Sequence, residues 1–247
     1  MNRRSMLYLA GAACTAHLAG AAGWQAYTPP RELEGIWSFV PDPKLPNVLL
    51  IGDSISIGYT LGVRRRLRGQ ANVYRPMQPG DKKPANCGNT KAGLAELASW
   101  LDGVRWNVIH FNWGLHDLCY RSPQSKAYGH RDKIHGVQDV PLPQYRKNLE
   151  ILVSELEKTN ARLIWASTTV IPPGEAGRFV GDEVKYNAVA AAVMRAHGIP
   201  IDDLYALTRT FPKTMFPNPG NVHFTRAGFQ KVADQVAASI RRQLNLG

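Results

Sequence analysis

The sequence predicts an α/β protein: three αβα layers around a central, mostly parallel, five-stranded sheet. Five short apolar runs fall at residues 48–51, 71–74, 106–113, 162–167 and 199–202, with helical patterns between them. Strands that alternate with helices make a parallel sheet covered on both faces. The first run, Val48-Leu49-Leu50-Ile51, has no polar break, as expected of a strand buried on both sides. Residues capable of chemistry stand just past such runs: Ser54 after the first, His116 and Asp117 after the third, His223 before the last helix. Sites in open α/β sheets lie at those strand ends.

Composition narrows the class further. The chain has 247 residues, 44% of them hydrophobic, enough for a full core and too apolar for disorder. Its 22 Gly follow no collagen repeat, and three Cys are too few for a disulfide scaffold. The charge of +11 suits nucleic acid, an anionic surface, an acidic polymer or mere solubility. The cluster Arg64, Arg65, Arg66 and Arg68 lacks interleaved aromatics, so it reads as a solvated helix face and no nucleic-acid partner is expected.

Residues 1–23 read as an export signal. Arg3-Arg4 opens it, an apolar stretch runs from Met6 to Ala16, and small residues crowd positions 19–23. The paired arginines resemble a twin-arginine signal. The apolar run is short for a membrane span, so no stable anchor is expected. Removal of the segment lowers the charge to +9 and leaves Cys87 and Cys119. The expected location is outside the cytoplasm, periplasmic or secreted.

Residues 24–46 form a proline-rich lead-in with Pro29, Pro30, Pro41, Pro43 and Pro46, extended because proline breaks helices and cannot donate. Trp24, Ile36, Trp37 and Phe39 would pin it to the domain, which occupies 47–247. Helices are expected over Tyr59–Arg68, over Thr90–Leu101 with Leu94, Leu97 and Leu101 inward, and after Pro143 with a stripe of Leu149, Leu152, Val153 and Leu156. Asp182 would cap a fourth helix that stops at Gly198. Thr225 would cap the last, with Phe229, Val232, Val236 and Ile240 inward. The stretch Leu115–Pro143 is too long for an ordinary connection. With Trp113, Tyr120, Tyr128 and several Arg it could wall a substrate, or simply pack over the domain.

Ser54 sits at a strand-to-helix turn between Gly52 and Gly58, where a hydroxyl meets free helix-start N–H groups. Such a serine is either a nucleophile or a helix cap. As a nucleophile it needs a base, and His223 is the candidate. The chain here resembles the SGNH/GDSL hydrolase family of serine esterases and lipases, over roughly Asn47 to Leu246. Four blocks carry the resemblance: Ile51-Gly52-Asp53-Ser54-Ile55-Ser56, Gly88-Asn89-Thr90 with Gly93-Leu94, Gly114-Leu115-His116-Asp117, and Val222-His223-Phe224-Thr225 with Gly228.

The resemblance implies a flavodoxin-like sheet, Ser54 as nucleophile and His223 as base. It also implies a structural role for Asp53, and an oxyanion hole from the N–H groups of Ser54 and Gly88 with His116. Two positions depart from the family pattern. His116 stands where an Asn usually donates to the oxyanion; a neutral imidazole N–H can also donate. Gly220 stands where the family commonly has the triad Asp. The acid is then absent, replaced by a backbone carbonyl, or supplied elsewhere, with Asp117 a candidate. Asn221 is nearer but carries no charge. Since the second and third blocks meet at the oxyanion hole, a Cys87–Cys119 disulfide is expected there; two buried thiols are the alternative.

The expected activity is hydrolysis of small or carbohydrate-linked acyl esters through an acyl-serine, by a monomer without cofactor. An extracytoplasmic O-acyltransferase using the same residues and a non-catalytic carbohydrate-binding relative are the alternatives. A metal hydrolase built on His110, His116, Asp117, His130 and His135 lacks the helical spacing of zinc ligands, so no metal is expected.

Overall fold

A computed structural model describes residues 37–79, 83–124 and 131–246. The expected export signal, over residues 1–23, and most of the lead-in lie outside the described residues. The elements are β1 (Asn47–Ile51), α1 (Ser54–Arg66), β2 (Asn72–Tyr74), α2 (Thr90–Leu101), β3 (Val108–Phe111), β4 (Tyr120–Arg121), β5 (Val137–Gln138), α3 (Leu142–Glu157), β6 (Arg162–Ala166), α4 (Asp182–Ala196), β7 (Ile201–Asp202), α5 (Leu204–Thr208) and α6 (Arg226–Leu244).

Five strands form one sheet in the order β2-β1-β3-β6-β7, and every pairing in it is parallel. Val48, Leu49 and Ile51 are fully buried, as are Val108, Ile109 and Phe111 opposite them on β3. Helices cover both faces: α1 and α6 pack together on one, and α2, α3 and α4 in turn on the other. The close approach of α1 and α6 depends on Gly58. A Cβ there would lie 2.2 Å from the Phe229 ring. Gly58 therefore serves helix packing rather than the turn at Ser54.

The α3 stripe is buried as expected. So are Val232, Val236 and Ile240 of α6. Several expectations change. Leu94 is exposed, because the inward side of α2 passes through Gly93, Leu97 and Trp100. Gly181, at φ 94°, is the N-cap of α4, and Asp182 is its first helical residue. α5 and a 3-10 turn at Lys213–Met215 go beyond the sequence reading.

The arginine cluster is not merely a solvated face. Arg64 donates to the Val73 and Trp37 carbonyls and stacks over Phe39 at 4.4 Å, so it fastens the lead-in to the domain. Arg66 donates to Gln230 of α6. The long stretch after β3 carries the antiparallel pair β4–β5, tied down by Arg121 Nε on Asp139 at 3.1 Å. Trp113 is buried in the core and forms no part of an outer wall. Tyr120 is half-buried and meets Phe179 edge-on at 5.1 Å; Tyr128 lies outside the described residues.

Candidate active site

β1 ends at Ile51, and the chain turns into α1 within two residues. Asp53 is the N-cap: its Oδ1 accepts from the Ile55 N–H at 2.9 Å. This bond assigns the cap to Asp53, and Ser54 is the first helical residue with its hydroxyl committed elsewhere. Ser54 Oγ lies 2.8 Å from His223 Nε2, across 169 residues of sequence.

His223 Nδ1 lies 2.8 Å from Asn221 Oδ1. An amide oxygen only accepts, so Nδ1 carries the proton and Nε2 is left with a lone pair toward the serine. Burial holds the His223 pKa below its usual value, opposing the Asp53 carboxylate that raises it; Arg178 and Arg131 also lower it. At neutral pH the ring is a neutral base in the tautomer that can take the Ser54 proton.

Among the described residues, Asn221 is thus the side chain that meets the Nδ1 edge of the His223 ring. The family position three residues before the histidine is closed to a side chain. Gly220 has φ 75°, and a Cβ on it would come within 2.5 Å of the Gly174 carbonyl oxygen. Asp117 is not the orienting group either. Its Oδ1 accepts from the Thr90 N–H at 2.8 Å and the Thr90 hydroxyl at 2.6 Å, fastening the start of α2. Burial raises its pKa to about 7.

Gly88 has φ 61°, a left-handed conformation that favours glycine. Its N–H donates to Asn86 Oδ1 at 3.1 Å. His116 is half-buried. Burial lowers its pKa, the Asp53 carboxylate opposes that, and Arg178 and Arg121 add to the lowering. The Asp53 carboxylate therefore opposes the lowering at both imidazoles. A neutral His116 has one N–H to donate.

The expected disulfide is absent; Cys87 and Cys119 are both buried free thiols. The two face different surroundings. Cys87 donates its N–H to the Gly52 carbonyl and sits by Arg75 and Asp53, where burial raises its thiol pKa to about 11. Burial also raises the Cys119 thiol pKa, opposed by the charges of Arg178 and Arg121. Between the two blocks, Trp113 Nε1 donates to the Cys87 carbonyl at 3.3 Å.

The residues considered as metal ligands disperse. His110 pairs with Asp202 in the core at 3.0 Å, and His135 faces solvent beside Asp132; His130 lies outside the described residues. Among the described residues, no group of three His, Cys, Asp or Glu side chains converges.

Sequence reasoning missed two neighbours of the site. Arg178 is buried, donates to the Leu115 carbonyl at 2.7 Å, and shares Glu175 with Arg131. Arg75 is buried beneath the nucleophile turn. Arg178 follows a Pro-Gly loop that gives no periodic signal, whereas Arg75 could have been flagged as a charge ending an apolar run.

The GDSL-like lipase/acylhydrolase family model matches residues 50–231. The chain belongs to this family. It is accordingly a carboxylic ester hydrolase by class. No curated protein matches the chain at a significant level. Among solved structures, the acetyl xylan esterase AlAXEase is similar at TM-score 0.61 and 15% identity, covering 78% of this chain and 99% of its own. A lipase/acylhydrolase from Enterococcus faecalis is similar at TM-score 0.61 and 20% identity, with 80% and 96% covered. Axe2, an acetylxylan esterase from Geobacillus stearothermophilus, is similar at 0.59 and 16%, with 82% and 95% covered. At such identities these likenesses concern the fold.

Proposed function

We propose that the protein is an exported serine esterase that removes small acyl groups, such as acetate, from carbohydrate or other small ester substrates. The observation that carries the reading is the 2.8 Å contact of Ser54 Oγ with a His223 ring whose Nδ1 is engaged by Asn221. His223 Nε2 takes the Ser54 proton as Oγ attacks the ester carbonyl. The oxyanion collects the N–H groups of Ser54 and Gly88 and the ring N–H of His116. For this the Gly88 N–H exchanges Asn86 Oδ1 for the oxyanion. His223 returns the proton to the leaving alcohol. It then deprotonates a water that attacks the acyl-serine, releasing the carboxylic acid and restoring Ser54.

Two acetylxylan esterases among the structural neighbours support an acetylated sugar as substrate. The Arg3-Arg4, apolar, small-residue pattern of residues 1–23 supports export. The test is hydrolysis of p-nitrophenyl acetate and of acetylated xylo-oligosaccharides by wild type and Ser54→Ala. Wild-type turnover that Ser54→Ala reduces by roughly 10³-fold or more is expected. Equal rates in the two proteins refute the nucleophile.

A further inference from the structure

We propose that Arg75 is a positioning residue that locks the nucleophile turn to the loop carrying Gly88. The kinetic half of this proposal rests on the esterase reading above; the structural half does not.

Arg75 follows β2 and is 1% exposed. Among the described residues no carboxylate pairs with it, although a buried guanidinium ordinarily requires one. Its fork is spent on two pieces of chain instead. Nη2 donates to the Ala85 carbonyl at 2.7 Å and reaches the Gly52 carbonyl at 3.4 Å. Nη1 donates to Ser56 Oγ at 3.2 Å and Thr60 Oγ1 at 3.1 Å, both on α1. Gly52 and Ser56 flank Ser54, whereas Ala85 lies three residues before Gly88. One planar cation thus spans the turn that aims the nucleophile and the loop that aims the second oxyanion donor. The Cys87 N–H adds a direct bond from that loop to the Gly52 carbonyl at 3.2 Å.

The other partners of Arg75 keep alternatives when it is removed. Ser56 Oγ still donates to the Asp53 carbonyl, Thr60 Oγ1 to the Ser56 carbonyl, and Gly52 still accepts from Cys87. Among the described residues, only the Ala85 carbonyl loses its protein partner. Truncation should therefore loosen the Gly88 loop and spare the rest of the domain.

The buried thiols report this without reference to activity. Cys87 lies in the clamped loop, and Cys119, equally buried, lies outside it. Full-length wild type, Arg75→Met and Arg75→Lys are pulsed with iodoacetamide in the folded state, and alkylation is read site by site by peptide mass spectrometry. In Arg75→Met, Cys87 should react roughly tenfold faster or more, with Cys119 within about twofold of wild type, the signature of local opening. On p-nitrophenyl acetate, kcat should fall about 10²-fold, as for a lost oxyanion donor, with KM within about threefold. Lysine keeps the charge but not the planar fork, so Arg75→Lys should shift both readouts in the same direction.

A folded variant in which Cys87 stays as protected as in wild type overturns the proposal. So does selective release of Cys87 with kcat unchanged. If Arg75→Met exposes both thiols together, the domain has unfolded and Arg75→Lys decides; exposure of both thiols there as well overturns a local clamp. If wild type hydrolyses no ester yet Cys87 is selectively released, the clamp stands and the esterase reading fails.

Discussion

Replacing Asn221 by Asp would test whether this residue does the work of a triad acid. The substitution is isosteric, so both bonds that Asn221 Oδ1 accepts from His223, from the backbone N–H at 2.9 Å and Nδ1 at 2.8 Å, should survive. What changes is charge. Opposite charges in such contact, with centres ~4 Å apart, attract by ~1 kcal/mol in water and ~4 kcal/mol at a partly shielded surface. His223 is half-buried, so ~2 kcal/mol is a reasonable middle value, about one to two pKa units. The wild-type ring titrates below its ordinary pKa because of burial, so its kcat/KM should rise with pH through a limb below about 6.5 and then level. In Asn221→Asp that limb should move up by about one to two pH units. On the alkaline plateau the carboxylate steadies the imidazolium formed in the transition state, so kcat/KM should rise, by about tenfold or somewhat more. The assay is a pH profile of kcat/KM on p-nitrophenyl acetate for both proteins, with matched Tm. A limb that does not move, or a slower plateau in a folded variant, refutes Asn221 as the orienting group.

Asp117→Asn should change how stability depends on pH. Burial raises the folded-state pKa of Asp117 to about 7, while the unfolded carboxyl ionises near 4. The folded state thus holds its proton longer, and this group's contribution declines as pH rises from about 4 to about 7, then stays level. Asparagine keeps an acceptor for Thr90 without that dependence. The Tm of the variant should gain on wild type across this window, by the equivalent of a few kcal/mol at most; a gap independent of pH refutes the buried titration. Gly58→Ala places a methyl 2.2 Å from the Phe229 ring. It should cost ~1–3 kcal/mol, a Tm drop of roughly 2–12 °C in thermal unfolding, and an unchanged Tm would show that α1 and α6 are less tightly apposed.

Local chemistry made much of this molecule legible. The run Val48–Ile51 can only be satisfied between two layers, and the α3 stripe has one apolar side, so strand and helix followed from pattern alone. Ser54 and His223 were legible because both stand where a parallel sheet collects its loops. The Asn221 contact with His223 was not. Asn221 carries no charge to draw attention, and its neighbour Gly220 packs against Gly174, joining loops 46 residues apart. The thiols misled for a related reason: Cys87 and Cys119 belong to neighbouring blocks, but which way a side chain points is decided by packing around Trp113, not by order along the chain. Arg64 and Arg66 read as solvent-facing because helical spacing says nothing about a lead-in or a second helix laid over them.

The lead-in has a consequence for how the enzyme meets a large substrate. Trp37 is fastened by Arg64 near the C-terminal end of α1, and Asp42 by Asn72 at the start of β2. Both lie toward the N-terminal ends of the strands, whereas Ser54 lies past the C-terminal end of β1. A five-residue strand separates these poles by about 15 Å. Trp37 and Asp42 therefore stand on the far side of the domain from the serine. A group coupled at Trp37 itself would sit at the pole opposite the strand-end loops and leave those loops clear for an insoluble polymer.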